Sequence, residues 1–179
     1  MLIGLSGKMQ VGKDTVAHYL MLKYGFRRLA FADYLKQAAV ALGWDGKKDE
    51  KGRKLLQRLG QDVREYNPAT WINVVAQQWY QVKPTGASVV ITDVRFKNEV
   101  DWIMREGGIV VRVARDEKVT NQDISETELD QFPFTYRIDS PLGDFNTLYS
   151  NIEVVLRQYL DSEAVKAHRQ AEPAHSDQP

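Results

Sequence analysis

One stretch near the start, LIGLSGKMQVGKDT, constrains the fold more than any other. The apolar run Leu2 to Ser6 passes directly into a loop bracketed by Gly7 and Gly12. Lys13 to Tyr24 then carries Val16, Ala17, Leu20, Met21 and Tyr24 at helical spacing. The order is buried strand, glycine loop, amphipathic helix. Glycine tolerates positive φ angles and close backbone approach, so the N–H groups of such a loop can converge on an anion. A helix N-terminus adds its dipole, and Lys13 supplies a cation for the β- and γ-phosphates of a nucleotide. A plain turn with solvated lysines would use the same letters, but the flanking strand and helix favour the cradle. The spelling departs from GxxxxGK followed by Ser or Thr at Asp14, where a carboxylate replaces the usual hydroxyl, and Thr15 restores one. Asp14 either takes the metal side of that hydroxyl or turns to a neighbouring basic group while Thr15 serves the α-phosphate; Mg²⁺ accepts oxygen ligands and keeps waters, which favours the first.

The rest of the chain continues the alternation. Phe26 to Phe31 reads as a strand, and Asp33 is placed to cap a helix bearing Leu35, Ala38, Ala39 and Leu42. The polar run GWDGKKDEKG interrupts, and Arg53 to Glu65 resumes as a helix with Leu55, Leu56, Leu59 and Val63 on one face. Asn67 as N-cap and Pro68 at the first helical position open the next helix. Val89 to Thr92 is a continuous apolar run ending in Asp93, the pattern of a central parallel strand. A helix over 96–106, strands over 109–114 and near 134–138, and a helix ending near Leu160 complete the series. This predicts a single α/β domain over 1–161 on a parallel sheet, followed by a flexible C-terminal tail over 162–179.

Composition narrows the function. Acidic and basic residues balance at 24 each, so no global field recruits nucleic acid polymer or an anionic membrane. The chain has no cysteine, which excludes disulfides, zinc thiolates and thiol nucleophiles and fits a reducing, cytoplasmic setting. It shows neither a signal peptide nor a membrane-length apolar run, so a soluble protein is expected. No nucleophilic triad is visible, since His18 lies in the first helix and His168 and His175 in the tail. The guanine motifs of Ras-type GTPases are likewise missing.

Asp93, at the carboxyl end of a buried strand, can hold Mg²⁺ directly or through water, or can cap the helix beginning near Phe96. Arg95 emerges at the same rim and can hold a phosphate with two N–H donors. Lys36, Arg53, Arg64, Arg112 and Arg115 are scattered bases of the kind that meet the charge of phosphoryl transfer, each of which also fits a surface position. Of these Arg115, like Arg95, follows a strand and would stand at the ligand-binding edge. A small kinase fits these features.

Together SGKMQVGKDTVAHYL, FADYLK, KLLQRLGQDVR with Trp71, ITDVRFKNE and SETEL resemble the deoxynucleoside monophosphate kinases of bacteriophages and their bacterial relatives, from Leu2 to about Leu156. The resemblance implies a three-layer P-loop kinase fold with a helical substrate-binding insert at about 33–82 and a lid at about 115–131. It implies ATP and Mg²⁺ as cofactors and a deoxynucleoside 5′-monophosphate as acceptor. By that likeness Gly7, Lys8, Val11, Gly12, Lys13, Asp14 and Thr15 hold ATP. Asp33, Lys36, Arg53, Gln57, Arg64 and Trp71 serve the monophosphate, and Arg95 reaches its phosphate. Arg112 and Arg115 border the lid, which includes Ser125 and Glu126. DSPLG resembles the adenine loop, with Ser140 where relatives usually have Asn, so the base-side contacts of Ser140 and Gly143 stay open.

On their own residues, Trp71 and Trp79 fit a core as well as a base stack. Gln57 and Arg64 fit solvated helix positions, and Asp123, Ser125 and Glu126 fit the capped start of a short helix. The expectation is in-line phosphoryl transfer with Lys13, Arg95 and Arg115 on phosphates and Asp14 and Asp93 on the metal. The partner is a small-molecule nucleotide, not nucleic acid or membrane, and oligomeric state, including a homodimer, is open. The rivals are a kinase of another acceptor, such as dephospho-coenzyme A, and a regulatory module that binds nucleotide without transfer.

Overall fold

In the computed structural model, which describes residues 1–115 and 123–171, five strands form one fully parallel sheet in the order β2-β3-β1-β4-β5. The strands are β1 Leu2–Ser6, β2 Arg27–Leu29, β3 Val89–Val94, β4 Ile109–Ala114 and β5 Tyr136–Asp139. Helix α1 (Lys13–Tyr24) follows β1; α2 (Phe31–Ala41), α3 (Glu50–Tyr66) and α4 (Thr70–Val82) fill the chain between β2 and β3. Helix α5 (Lys97–Arg105) joins β3 to β4, α6 (Ile124–Thr127) precedes β5, and α7 (Phe145–Ala171) closes the fold. The expected three-layer α/β architecture is present.

Alternation along the strands divides the core. Ile3 and Leu5 of β1, Val90 of β3, and Val111 and Val113 of β4 pack with α1 and α7. Leu2, Val89, Ile91 and Val110 face the other way, toward Trp71, Val75, Trp79 and Ile103. Burying each such aliphatic side chain stabilises the fold by about 1.5–3 kcal/mol before entropy is counted. The register matters for function: Ser6 lies opposite Val94 on one side and Arg112 on the other. The glycine loop, Arg95 and the segment leading to Arg115 therefore leave the sheet at one edge, the carboxyl end where open α/β sheets bind ligands.

Several boundaries differ from the sequence reading for identifiable reasons. Helix α2 starts at Phe31, so Asp33 lies within its first turn and Ala30 is the N-cap. Its capping oxygens come instead from Asp93, which accepts the N–H groups of Phe31 and Ala32 at 2.9 and 2.8 Å. Helix α3 begins earlier, because the Asp49 side chain accepts the Gly52 N–H and ends the polar interruption. Asn67 terminates α3, Ala69 is the N-cap of α4, and the Asn67 side chain bonds the Ala69 N–H between them. Helix α7 continues past Leu160, since DSEAVKAHRQA holds good helix formers and no glycine or proline. The expected tail thus begins within a helix, and its last part, 172–179, lies outside the described residues, as does 116–122 of the expected lid. Among the described residues no helix is long and apolar enough to cross a membrane.

Candidate active site

The loop after β1 has the backbone of an anion cradle. Gly7 (φ 148°), Gln10 (φ 65°) and Gly12 (φ 104°) all adopt positive φ. A Cβ on Gly7 would stand 2.3 Å from the Val113 carbonyl oxygen, and one on Gly12 2.7 Å from Ser140 Oγ. Both positions therefore demand glycine twice over, by torsion and by space. Gly12 brings no side chain to the N-terminus of α1, in contrast to Asp49 at α3 and Asp93 at α2. An uncapped start with its dipole intact suits a phosphate.

Lys13 is buried, and its ammonium donates to the Gly7 and Lys8 carbonyls at 2.8 and 2.6 Å. Burial, with Arg95 adding like charge, lowers its pKa to about 8, while Glu126, Asp14 and Asp93 oppose the shift. Val11 is buried beneath the loop, Asp14 is exposed and Thr15 partly so. Lys8 donates to the Glu126 carbonyl at 2.6 Å and to Asp130 at 2.5 Å.

Arg115 fastens the back of the cradle. It donates to the Gln10 carbonyl at 3.0 Å and to the carbonyl and hydroxyl of Ser140 at 2.9 and 3.1 Å. Ser140 is fully buried against Gly12, and Gly143, at φ 77°, shapes the following loop. Arg112 joins Ser6 Oγ to Asp130 at 3.2 and 3.1 Å.

Beside the cradle opens a cavity of about 800 Å³. Its floor is apolar, with Phe31, Leu35, Trp71 and Phe96; its rim is basic, with Lys36, Arg53, Arg64 and Arg95. Gln57, Asp93, Ser125 and Glu126 also line it. Of the residues assigned to the acceptor by resemblance, only Asp33 is not part of the lining. It pairs with Arg28 (2.6 Å) and Lys36 (3.3 Å), and the Arg28 guanidinium holds its carboxyl below the ordinary range. Trp71 belongs to both readings: it is buried in the core, donates to the Gly60 carbonyl at 3.2 Å, and shows one surface to the cavity.

Cradle and cavity meet at Glu126. One of its oxygens accepts the Met9 N–H of the loop at 3.0 Å and the other the Arg95 guanidinium, which also donates to the Ser125 carbonyl at 3.0 Å. A carboxylate thus rests on two donors that a phosphate would take. Asp123 caps this short helix through the Ser125 N–H, at 2.9 Å. Burial raises the pKa of Asp93 against the pull of the two α2 amides and Arg95.

Two important residues escaped the sequence reading. Met9 reaches the cavity from within the loop. Glu99 is 1% exposed and carries a pKa raised to about 7 by burial, although Arg64 and the amides of Arg95 and Phe96 oppose that rise. The only available signal for Glu99 was its position three residues after a helix N-cap, where a glutamate can close a capping box.

The deoxynucleotide monophosphate kinase family model matches residues 45–131, which include most of the cavity lining but neither its α2 residues nor the glycine loop. A protein of Acanthamoeba polyphaga mimivirus, provisionally named a deoxynucleotide monophosphate kinase, is 35% identical over 142 residues, covering 64% of this chain and 74% of the relative. Among solved structures, dephospho-CoA kinase from Campylobacter jejuni matches with a TM-score of 0.56 at 9% identity, over 90% of this chain and 98% of that one. A gluconokinase from Sinorhizobium meliloti matches with a TM-score of 0.51 at 13% identity, over 95% and 97%. These structural likenesses establish the small-kinase fold, and the mimivirus relative goes further. The chain belongs to the deoxynucleotide monophosphate kinase family.

Proposed function

We propose that the protein transfers the γ-phosphoryl group of ATP, with Mg²⁺, to a deoxynucleoside 5′-monophosphate. The observation that carries this reading is the junction of a phosphate cradle with a separate apolar-floored, basic-rimmed cavity through Arg95 and Glu126. A donor nucleotide and a second phosphate-bearing molecule are thereby set end to end. Such a cavity suits a planar base on its floor and a phosphate at its rim.

In the reaction an acceptor phosphate oxygen attacks the γ-phosphorus in line. The bond to the β,γ-bridging oxygen breaks, and its electron pair leaves with ADP. Lys13 exchanges its loop carbonyls for phosphate oxygens, whose negative charge offsets the burial that lowers its pKa. Gly7, Lys8, Val11, Gly12 and Thr15 complete the cradle, and Ser140 and Gly143 lie on the base side of ATP. Arg95 passes from the Glu126 carboxylate to the acceptor phosphate and the moving group, where positioned donors lower the barrier. Arg115 acts from the nucleotide side, through its hold on the loop. Lys36, Arg53, Gln57, Arg64, Trp71 and Ser125 form the acceptor's walls.

Among the described residues no three carboxylate or histidine side chains converge into a metal cage. This fits Mg²⁺, which is held by one or two carboxylates together with substrate phosphates and water. Asp14, Thr15 and Asp93 are the groups that would hold it. Each Asp93 oxygen accepts one amide and retains a lone pair for a metal-bound water. When bound, the ion neutralises charge on the β- and γ-phosphates. The site lies within one chain, so homodimer formation is not required for it. A cytoplasmic setting, where ATP and Mg²⁺ are at hand, fits this reading.

The test is a coupled assay for ADP with ATP, Mg²⁺ and a panel of deoxynucleoside and ribonucleoside monophosphates, with dephospho-coenzyme A as a further acceptor. ADP formation that depends on a deoxynucleoside monophosphate is expected. Turnover with only dephospho-coenzyme A refutes the acceptor assignment, and ATP binding without turnover on any acceptor refutes the kinase reading.

A further inference from the structure

Glu99 stands behind the cavity, with its carboxylate divided between two arginines that line it. One oxygen, Oε2, accepts the N–H of Arg95 at 2.8 Å and of Phe96 at 3.1 Å; the other, Oε1, accepts Arg64 Nη2 at 3.1 Å. The Arg64 guanidinium is held from two further directions. It lies over the Phe96 ring, 3.7 Å from the centroid, and its Nη1 donates to the Gly60 carbonyl at 3.3 Å. These contacts use two of the five N–H donors of the guanidinium. Arg64 and Arg95 line the same cavity, although one comes from α3 and the other follows β3.

A capping-box glutamate needs only the N–H of its own N-cap, here Phe96, and ordinarily sits at the surface. Glu99 instead is fully buried and takes on the Arg95 amide and a guanidinium from another helix. Burial of a carboxylate is costly unless it is paired, and capping alone does not require it. The contacts account for it differently: through one rigid group, the backbone that carries Arg95 and the side chain of Arg64 are referenced to each other. The two come from separate elements, since α3 belongs to the helices between β2 and β3 while Arg95 follows β3.

We propose that Glu99 is the positioning residue of the acceptor-phosphate site, fixing the Arg95 backbone and the Arg64 guanidinium in one mutual placement for the incoming monophosphate. The inference rests on the kinase reading above and adds the residue that organises its acceptor end. Glu99 touches no reacting atom. Its effect falls on acceptor affinity, while the ATP side, built from the loop after β1, feels it only at second hand through Arg95 and Glu126.

Steady-state kinetics of Glu99→Gln and Arg64→Lys test this in the full-length protein, with ATP and the best deoxynucleoside monophosphate varied separately. Glutamine keeps a carbonyl for the two amides and the capping box but loses the charge facing Arg64. Its KM for the acceptor should rise about tenfold or more, with the KM for ATP within about twofold of wild type. Arg64→Lys leaves Glu99 a cation, so the fold keeps its ion pair, but it loses the planar fork; it should shift the acceptor KM in the same sense. Combining the two should add little beyond the larger single effect, because both act through one contact. Wild-type acceptor KM in Glu99→Gln overturns the proposal whatever Arg64→Lys does, and so does a parallel rise in the ATP KM, which marks general damage. A wild-type enzyme without acceptor-dependent turnover refutes the kinase reading and this role with it, whereas normal wild-type turnover with unchanged variants refutes Glu99 alone.

Discussion

The phosphate cradle is made from consecutive residues between Ser6 and Thr15, whereas the cavity beside it draws on α2, α3, α4, the end of β3 and α6. In the cradle, torsion does the work: positive φ at Gly7, Gln10 and Gly12 turns the backbone inward, and each glycine fits against a neighbouring strand or loop. In the cavity, side chains from distant segments do it. Asp93 ties β3 to the start of α2, Glu99 ties α5 to α3, and Glu126 ties α6 to both the loop and Arg95. The donor side is thus shaped by local torsion, with Arg115 and Glu126 bracing it, while the acceptor side depends on buried charges placed far apart in the chain. Binding of ATP and binding of the acceptor should accordingly fail separately.

Lys13→Ala gives the largest separation. It removes the ammonium from the cradle and leaves the cavity lining untouched. Turnover should fall about 10³-fold or more, given what single positioned charges contribute to phosphoryl transfer. Calorimetric titration with the deoxynucleoside monophosphate should show acceptor affinity within about threefold of wild type, a change of under about 0.7 kcal/mol. Wild-type turnover would remove Lys13 from the mechanism, and lost acceptor affinity would break the independence of the two sides.

The same contrast explains what the sequence revealed. Strand, loop and first helix were legible because one short segment carries the apolar period, the glycines and the lysine. The parallel sheet followed from the alternation of strands with helices and from the continuous apolar run of β3. Asp93 was readable as a carboxylate at a strand end, but its two amide partners lie in α2, and only the pairing of β2 with β3 brings them near. Asp33 looked like a cap for α2 because its type and place suited one; with Asp93 filling that role, Asp33 turns to Arg28 and Lys36. Glu99 was missed because Phe96, rather than Ser or Thr, occupies the N-cap, so the usual spelling of a capping box is absent.

The charge of Glu99 gives the next effect, on stability. Its pKa is about 7 in the folded protein against an ordinary 4.5, so between those values the folded state binds more protons than the unfolded one. Stability from this group is present in full below about pH 4.5 and declines as pH rises through about 7. A shift of this size corresponds to roughly 3 kcal/mol over the window. The charges facing it are Arg64 from α3, which limits the rise, and Asp93 from β3, which adds to it. Urea unfolding of wild type and Glu99→Gln across pH 4 to 8 should therefore show the variant gaining relative to wild type as pH increases. Parallel curves for the two proteins would show that Glu99 keeps an ordinary acidity and that its burial is not costly.

Asp33→Asn carries the smallest expected effect and sharpens the boundary of the cavity. Resemblance assigns Asp33 to the acceptor, but its carboxylate lies outside the lining and engages Arg28 and Lys36 in an accessible ion-pair cluster. Pairs of that kind contribute about 1 kcal/mol or less, because solvent screens them and long side chains lose entropy in forming them. The Arg28 contact holds the carboxyl below its usual range, so its contribution is present near neutral pH and fades as acid protonates it. Asparagine should cost under about 1 kcal/mol in urea unfolding at pH 7. Acceptor KM and ATP KM should each stay within about twofold of wild type. Lys36 does line the cavity, so a tenfold rise in acceptor KM alone would mean that Asp33 sets the placement of Lys36 within the acceptor site.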